Sequence, residues 1–201
     1  MTDTNKRVSI AGDIDKIILV RLFPNDDVLQ AIWDTIIEYD IKAGVIMDGS
    51  GCLDTFKYQH FMENPQNTIF PEDVLTMTGP IEASIQGTIG MMDIENVSPD
   101  CPVWPLNFPD VPGMFDTDEQ KIHMAGTPEL KTGAPYVHAH CTCTNATRTV
   151  CGHLMPGTRV KSLYQEDEVP SHFTLILAKF KDMKLVFKYN ELGGYHELVK
   201  E

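Results

Sequence analysis

Tyr136-Val-His-Ala-His-Cys-Thr-Cys-Thr-Asn-Ala-Thr-Arg-Thr-Val-Cys-Gly-His-Leu154 is the stretch on which the reading of this chain turns. The β-forming residues on either side of Asn145-Ala-Thr-Arg148 predict two strands joined by a four-residue turn. Residues two apart on a strand share a face, so His138 and His140 present their imidazoles side by side. Folding the strands symmetrically about the turn places His153 directly opposite His140. Cross-strand neighbours have Cβ atoms about 4.5–5.5 Å apart, which lets three imidazoles converge on one ion at about 2.0–2.1 Å. The same register puts Thr142 and Cys151 on the histidine face, and Cys151 is thereby a candidate fourth ligand. Cys141 and Cys143 point the other way, towards the core, where free cysteine is common. A one-residue slip would move His153 to the opposite face, so the register is a sharp expectation. The competing reading is a hydrogen-bonded histidine cluster that titrates between about pH 5 and 8 without metal.

Outward from the hairpin, the chain alternates strand patterns around one helix. Lys16-Ile-Ile-Leu-Val-Arg-Leu-Phe23 reads as a first strand, and Pro24-Asn-Asp-Asp27 supplies a turn and a helix cap. Val28, Leu29, Ile32, Ile36 and Ile37 recur at helical spacing and predict an apolar stripe from about Asp26 to Tyr39. Ile41 to Met47 and Leu53 to Phe61 read as strands separated by Asp48-Gly-Ser-Gly51. Val74 to Thr78 and Ile81 to Ile89 flank Gly79-Pro80 and form either a hairpin or one bent strand. Further strands are expected at Thr149 to Met155, Val160 to Tyr164, His172 to Phe180 and Lys184 to Tyr189, with Gly193-Gly194 breaking off a short tail.

Between Met91 and Ala134 the texture changes. Pro99, Pro102, Pro105, Pro109, Pro112 and Pro128 fall there without sustained periodicity, and a loop of that length is usually functional or disordered. Trp104, Leu106, Phe108, Met114 and Phe115 favour an ordered covering segment, a lid or an interface arm. The expectation is a single domain over residues 1–201, of α/β (α+β) class, with a mostly antiparallel or mixed sheet, one main helix and this Pro-rich insertion at 91–134.

The chain has 201 residues, with 29 acidic against 16 basic side chains and a formal net charge of −13. Phosphate backbones and anionic membranes are bound largely through clustered Lys and Arg, so the balance argues against nucleic acid and membrane as partners. The polar N-terminus precedes no apolar core of signal-peptide length, and no stretch approaches the roughly 20 apolar residues of a bilayer span. Five cysteines without scaffold spacing suit a reducing compartment, and the chain reads as cytoplasmic.

The ordered set Val20-Arg-Leu-Phe23, the helix after Asn25-Asp-Asp27, Ile41-Lys-Ala-Gly44, Gly49-Ser-Gly-Cys-Leu53, Val74-Leu-Thr-Met-Thr-Gly79, His138-Ala-His140 and Gly152-His-Leu154 resembles the plant-and-prokaryote-conserved (PPC or PCC) domain family. The resemblance runs from about Ile17 to Leu198 and leaves out the Pro-rich segment. It implies an α/β domain that forms homotrimers, in which His138, His140 and His153 match histidines that bind a metal such as zinc in some prokaryotic members. The AT-hook of plant members is missing, so their DNA binding is not carried over. Cys151 stands where the family often has Gly.

Three neutral imidazoles leave a coordination position open, the mark of a catalytic rather than a closed structural zinc centre. The leading expectation is a metal-dependent enzyme of hydrolase or lyase type, acting on a small polar carbonyl or carboxylate substrate. Zinc leads as cofactor, with Fe2+ and Mn2+ as alternatives. Glu82 and Tyr136 are the candidate acid or base groups. Arg21, Lys57 and Arg148 are candidate holders of a substrate carboxylate. His60 and His123 rank behind them. The alternative class is a non-catalytic trimeric binding or regulatory module stabilised by its metal, which closure of the site by Cys151 would favour.

Overall fold

Asp27 starts the helix. Its Oδ1 accepts the amide hydrogens of Leu29 and Gln30 at 3.1 and 3.2 Å, filling donors that a helix N-terminus leaves unpaired. Its Oδ2 accepts the amide of Gly157 at 2.6 Å, so the same cap ties the helix to the chain beyond the histidine hairpin. Helix α1 spans Val28–Glu38 and buries Val28, Leu29, Ile32, Trp33 and Ile36. Ile37, expected in the stripe, lies past its edge and is 65% exposed. Trp33 fills that side instead, and its indole N–H donates to the Gly126 carbonyl at 3.3 Å.

The computed structural model describes residues 7–63, 69–71, 74–94, 122, 126–161, 173–190 and 193–200; for 61–63, 69–71, 189, 190 and 193 it describes the backbone alone. Among these residues the strands are β1 (Ile14–Arg21), β2 (Gly44–Gln59), β3 (Phe61–Glu63), β4 (Ile69–Pro71), β5 (Leu75–Asp93), β6 (Pro135–Thr144), β7 (Thr149–Leu154), β8 (Arg159–Val160), β9 (Thr174–Phe180), β10 (Met183–Asn190) and β11 (Gly193–Lys200). Nine form one sheet in the order β1-β9-β2-β7-β6-β5-β10-β11, with β8 also on β2, while β3 and β4 pair separately. Because β2 pairs with β5 as well, β2, β7, β6 and β5 close into a ring. Every pairing is antiparallel except β10 with β5. The expected class therefore holds: the described residues form an α+β fold in which a mixed, mostly antiparallel sheet packs with the short helix α1.

Two long strands depart from the expected segmentation. Asp48-Gly-Ser-Gly51 does not separate two strands. β2 runs through it, and the register shifts against β5 between Ile46 and Ser50, so the extra residues are absorbed as a bulge. β5 passes through Gly79-Pro80 without interruption, which selects the bent strand over the hairpin. Its burial alternates, with Ile81, Ala83 and Ile85 inward and Glu82, Ser84 and Gln86 outward, as expected of a strand with one face on the core. The core joins α1 to the strand ring through Trp33, Leu53, Phe56, Met77, Ile81, Ile85, Cys141, Cys143 and Leu154.

The C-terminal residues are not a tail. Gly193–Lys200 is strand β11, antiparallel to β10 with Phe187 opposite His196. Lys188 of β10 reaches Asp93 of β5 at 3.1 Å and Glu197 of β11 at 2.8 Å, which pins the hairpin to the main sheet. Of the expected insertion, 91–93 complete β5. Gly133 and Ala134 return beside it through Gly133 N–H to Met92 O and Met92 N–H to Ala134 O, both 2.9 Å. Residues 95–121 and 123–125, with His123 and the apolar residues of the expected lid, lie outside the described residues. The expected strand at Val160 to Tyr164 appears as the two-residue β8, and Ser162 to Tyr164 also lie outside the described residues. No helix among the described residues is long and apolar enough to cross a membrane.

Candidate metal centre

The connection between β6 and β7 is Asn145-Ala-Thr-Arg148, the expected turn. Asn145 holds it: its Oδ1 accepts from Thr147 N–H at 2.9 Å and from Arg148 N–H at 3.1 Å. From that turn the register follows, with Thr144 opposite Thr149, Thr142 opposite Cys151 and His140 opposite His153. Cys141 and Cys143 are fully buried, while Cys151 is exposed. Gly152 permits this approach of β7 to β2. A Cβ there would stand 2.7 Å from Tyr58 Cδ2 and 3.0 Å from Tyr58 Cβ, so any larger residue would push β7, and His153 with it, away from the ring.

The three imidazoles form a nearly equilateral group. Ring centroids lie 5.2 Å apart for His138 and His140, 5.3 Å for His138 and His153, and 5.6 Å for His140 and His153. One nitrogen from each falls within 4.8 Å of the others. His138 Nε2 and His140 Nε2 are 3.1 Å apart, close to the roughly 3.3 Å edge of a tetrahedron with zinc–nitrogen bonds of about 2.0–2.1 Å. Burial, and then the charges of His140 and His196, lower the pKa of His138. Burial, and then His138 and His140, lower that of His153 to about 3. Both rings are therefore neutral at pH 7, the state in which imidazole is a ligand. The donor set fits a divalent transition ion.

Cys151 does not join the group. It sits one same-face position towards the turn from His153, and the cluster of convergent ligand atoms among the described residues comprises the three histidines alone. The thiol is thus not placed to close the site. His60 is also engaged elsewhere, with its Nε2 donating to the Cys151 carbonyl at 2.5 Å.

The remaining candidates are distributed unevenly. Tyr136 is beside the site but only 2% exposed, behind His138 and away from any approaching solute. Glu82 is opposite Thr144, four residues along the strand from His140, or about 13 Å at roughly 3.3 Å per residue. Although it shares the histidine face, it lines a separate shallow cavity of about 620 Å3 with Cys52, Thr78 and Asn145. Arg148 belongs to the turn at that same far end. Arg21 ends β1 with its guanidinium over the Phe23 ring at 5.5 Å, and the stem of Lys57 lies against Gly157. The structure therefore sets Glu82 and Arg148 at the far end of the hairpin from the histidines, whereas Lys57 lies two residues along β2 from Gln59, the partner of His153.

What surrounds the site instead came from pairings that sequence reading had not supplied. Gln86 and Thr88 of β5, both exposed, stand opposite His140 and His138. Gln59 of β2, 3% exposed, stands opposite His153. A fourth histidine, His196 of β11, places its Nε2 2.7 Å from the Tyr136 hydroxyl, which is in turn 3.4 Å from His138 Nδ1.

This mixed sheet has counterparts among known proteins. The sequence model of the Plants and Prokaryotes Conserved (PCC) domain matches residues 9–103, covering β1 through β5 and ending before the histidine hairpin. Residues 9–103 are therefore similar to the PCC domain, as the resemblance of the motifs in that region implied. Solved structures of similar fold include a metal-containing protein from Archaeoglobus fulgidus, with a TM-score of 0.60, 13% identity, and coverage of 96% of this chain and 100% of that one. A plant- and prokaryote-conserved protein from Pyrococcus horikoshii has a TM-score of 0.58 at 17% identity over 97% of this chain and all of its own. A candidate DNA-binding protein from Bacteroides thetaiotaomicron has a TM-score of 0.56 at 15% identity, covering 92% and 94%. A search of curated proteins gave no significant match. The Bacteroides neighbour corrects one expectation: nucleic acid is not excluded as a partner class. The exclusion rested on a net charge of −13, which sums over the whole chain and does not describe any one surface.

Proposed function

We propose that His138, His140 and His153 hold one divalent metal ion and that the chain is a metal-dependent enzyme of hydrolase or lyase type. The observation that carries the metal site is the convergence of three imidazole nitrogens within 4.8 Å, with two of the rings held neutral by burial and by each other. Imidazole suits zinc, copper, iron and nickel, whereas Mn2+ prefers oxygen ligands, so zinc is the ion proposed, with Fe2+ as the alternative. The chemistry such an ion supplies is Lewis-acid polarisation of a carbonyl or of water.

The protein's own contribution follows from placement. With Cys151 outside the cluster, three ligands from one hairpin account for all the convergent ligand atoms among the described residues, and in this reading the remaining coordination position takes water or substrate. The amide of Gln86 and the hydroxyl of Thr88, exposed beside His140 and His138, can hydrogen-bond a small polar molecule carrying a carbonyl or carboxylate. Glu82, at the far end of the hairpin, has no part in this reading.

Elemental analysis of the purified chain, with zinc titration after chelation, tests it. One equivalent of metal per chain is expected, lost in a combined His138→Ala, His140→Ala and His153→Ala variant. Saturation at about 100 times Kd should add about 2.7 kcal/mol of stability to the wild type and none to the variant. Absence of metal together with no response to added zinc, iron or manganese would defeat the proposal.

A further inference from the structure

Resting on the metal reading above, we infer that Tyr136 and His196 are positioning residues that set the tautomer of His138 and so make its Nε2 a ligand. The Tyr136 hydroxyl stands between two imidazole nitrogens, 2.7 Å from His196 Nε2 and 3.4 Å from His138 Nδ1. A hydroxyl has one hydrogen to donate and lone pairs to accept with, so the chain of three groups has a direction. In one direction His138 Nδ1–H donates to the tyrosine oxygen, and the tyrosine hydrogen is donated to His196 Nε2. His138 Nε2 then carries a free lone pair, aimed at the cluster 3.1 Å from His140 Nε2. In the other direction His196 Nε2–H donates to the tyrosine, which donates to His138 Nδ1. The proton of His138 then sits on Nε2, facing the other ligands, and that nitrogen cannot coordinate. The shorter contact lies on the His196 side, as expected when the tyrosine donates there.

The surroundings hold the tyrosine in that place. Its ring stacks on Phe187 with centroids 4.4 Å apart and planes 7° from parallel, and His196 meets the same ring edge-on at 5.4 Å. Phe187 and His196 are paired across β10 and β11, and Lys188 clamps those strands to Asp93 and Glu197. The C-terminal hairpin thus delivers the acceptor that orients a ligand on β6. A histidine ligand whose second nitrogen is held this way follows a general pattern, and losing the outer partner typically costs about 10–100-fold in metal affinity.

The test is a zinc competition titration combined with imidazole nitrogen NMR of the metal-free protein. Tyr136→Phe keeps the ring stacked on Phe187 and removes only the hydroxyl; it should weaken zinc binding about 10–100-fold and turn His138 from the Nδ1–H tautomer to a mixture. His196→Leu should do the same at a surface position, whereas His196→Gln, which restores an acceptor, should recover most of the affinity. If Tyr136→Phe does not fold, the His196 pair decides. A wild type that binds no zinc defeats the metal reading, and the tautomer spectrum still reports on Tyr136 and His196. A wild type that binds zinc, with His196→Leu and every folded Tyr136→Phe sample binding within twofold of it and His138 unchanged, overturns this inference alone.

Discussion

The metal-free protein should be acid-sensitive through His153 in particular. Burial and two neighbouring imidazoles hold its pKa at about 3, against an ordinary value of 6.5. The unfolded chain therefore takes up a proton near pH 6.5 that the folded chain refuses until about pH 3, and protons bound preferentially to the unfolded state lower stability. The contribution is intact above pH 6.5, declines as the pH falls, and is exhausted near pH 3. Between pH 7 and pH 5 the loss from this one group is about 2 kcal/mol, equivalent to about 4–8 °C in Tm for a domain of this size. His153→Gln keeps a polar side chain of similar reach and removes the titration. Urea denaturation in excess chelator at pH 7 and pH 5, for both proteins, isolates the effect as a difference of differences. The wild type should lose about 2 kcal/mol more than the variant over that interval. Parallel losses would mean that His153 is not held neutral by its surroundings, and the argument that it is ready to ligate at pH 7 would fall with it.

Gly152→Ala should destabilise the fold by about 1–3 kcal/mol in urea, because the added Cβ meets Tyr58 at 2.7 Å. It should also weaken zinc binding, since the adjacent His153 moves with the strand; unaltered affinity and stability would show that β7 approaches β2 more loosely than described. Cys151→Ser should leave zinc stoichiometry at one per chain and affinity within twofold, measured by the same competition titration. A large loss would make the thiol a ligand after all.

The histidine hairpin was legible because everything that sets its register is local. Asn145 closes the turn through its own side chain, and period-two alternation does the rest: Cys141 and Cys143 go inward, and His140 meets His153. The helix was legible for a similar reason, since Asp27 caps it within its own first turn. Errors of detail came where long strands tolerate what usually breaks a strand. Glycines in Asp48-Gly-Ser-Gly51 signal a turn in isolation, but pairing on both edges of β2 carries the chain through them as a bulge.

Apart from Tyr136, which lies two residues before His138 on the same strand face, the surroundings of the site were not legible, and the reason is geometric. Tyr136 and His196 are 60 residues apart, and they meet only because β10 lies parallel to β5 while β11 folds back upon β10. Nothing in Gly193-Gly-Tyr-His-Glu-Leu-Val-Lys200 states that its neighbour's neighbour will be the strand beside the histidines. The same holds for Gln86 and Thr88, which are ordinary outward residues of β5 until the β5–β6 register places them against His140 and His138. Glu82 shows the converse. It has the right chemistry and the right face, yet four residues of strand separate its rung from His140. A histidine cluster can be written into one hairpin, but the groups that surround it are chosen by long-range pairing. Substitutions on β5 and β11 will therefore reveal how this site works more sharply than substitutions among the histidines themselves, which can only remove it.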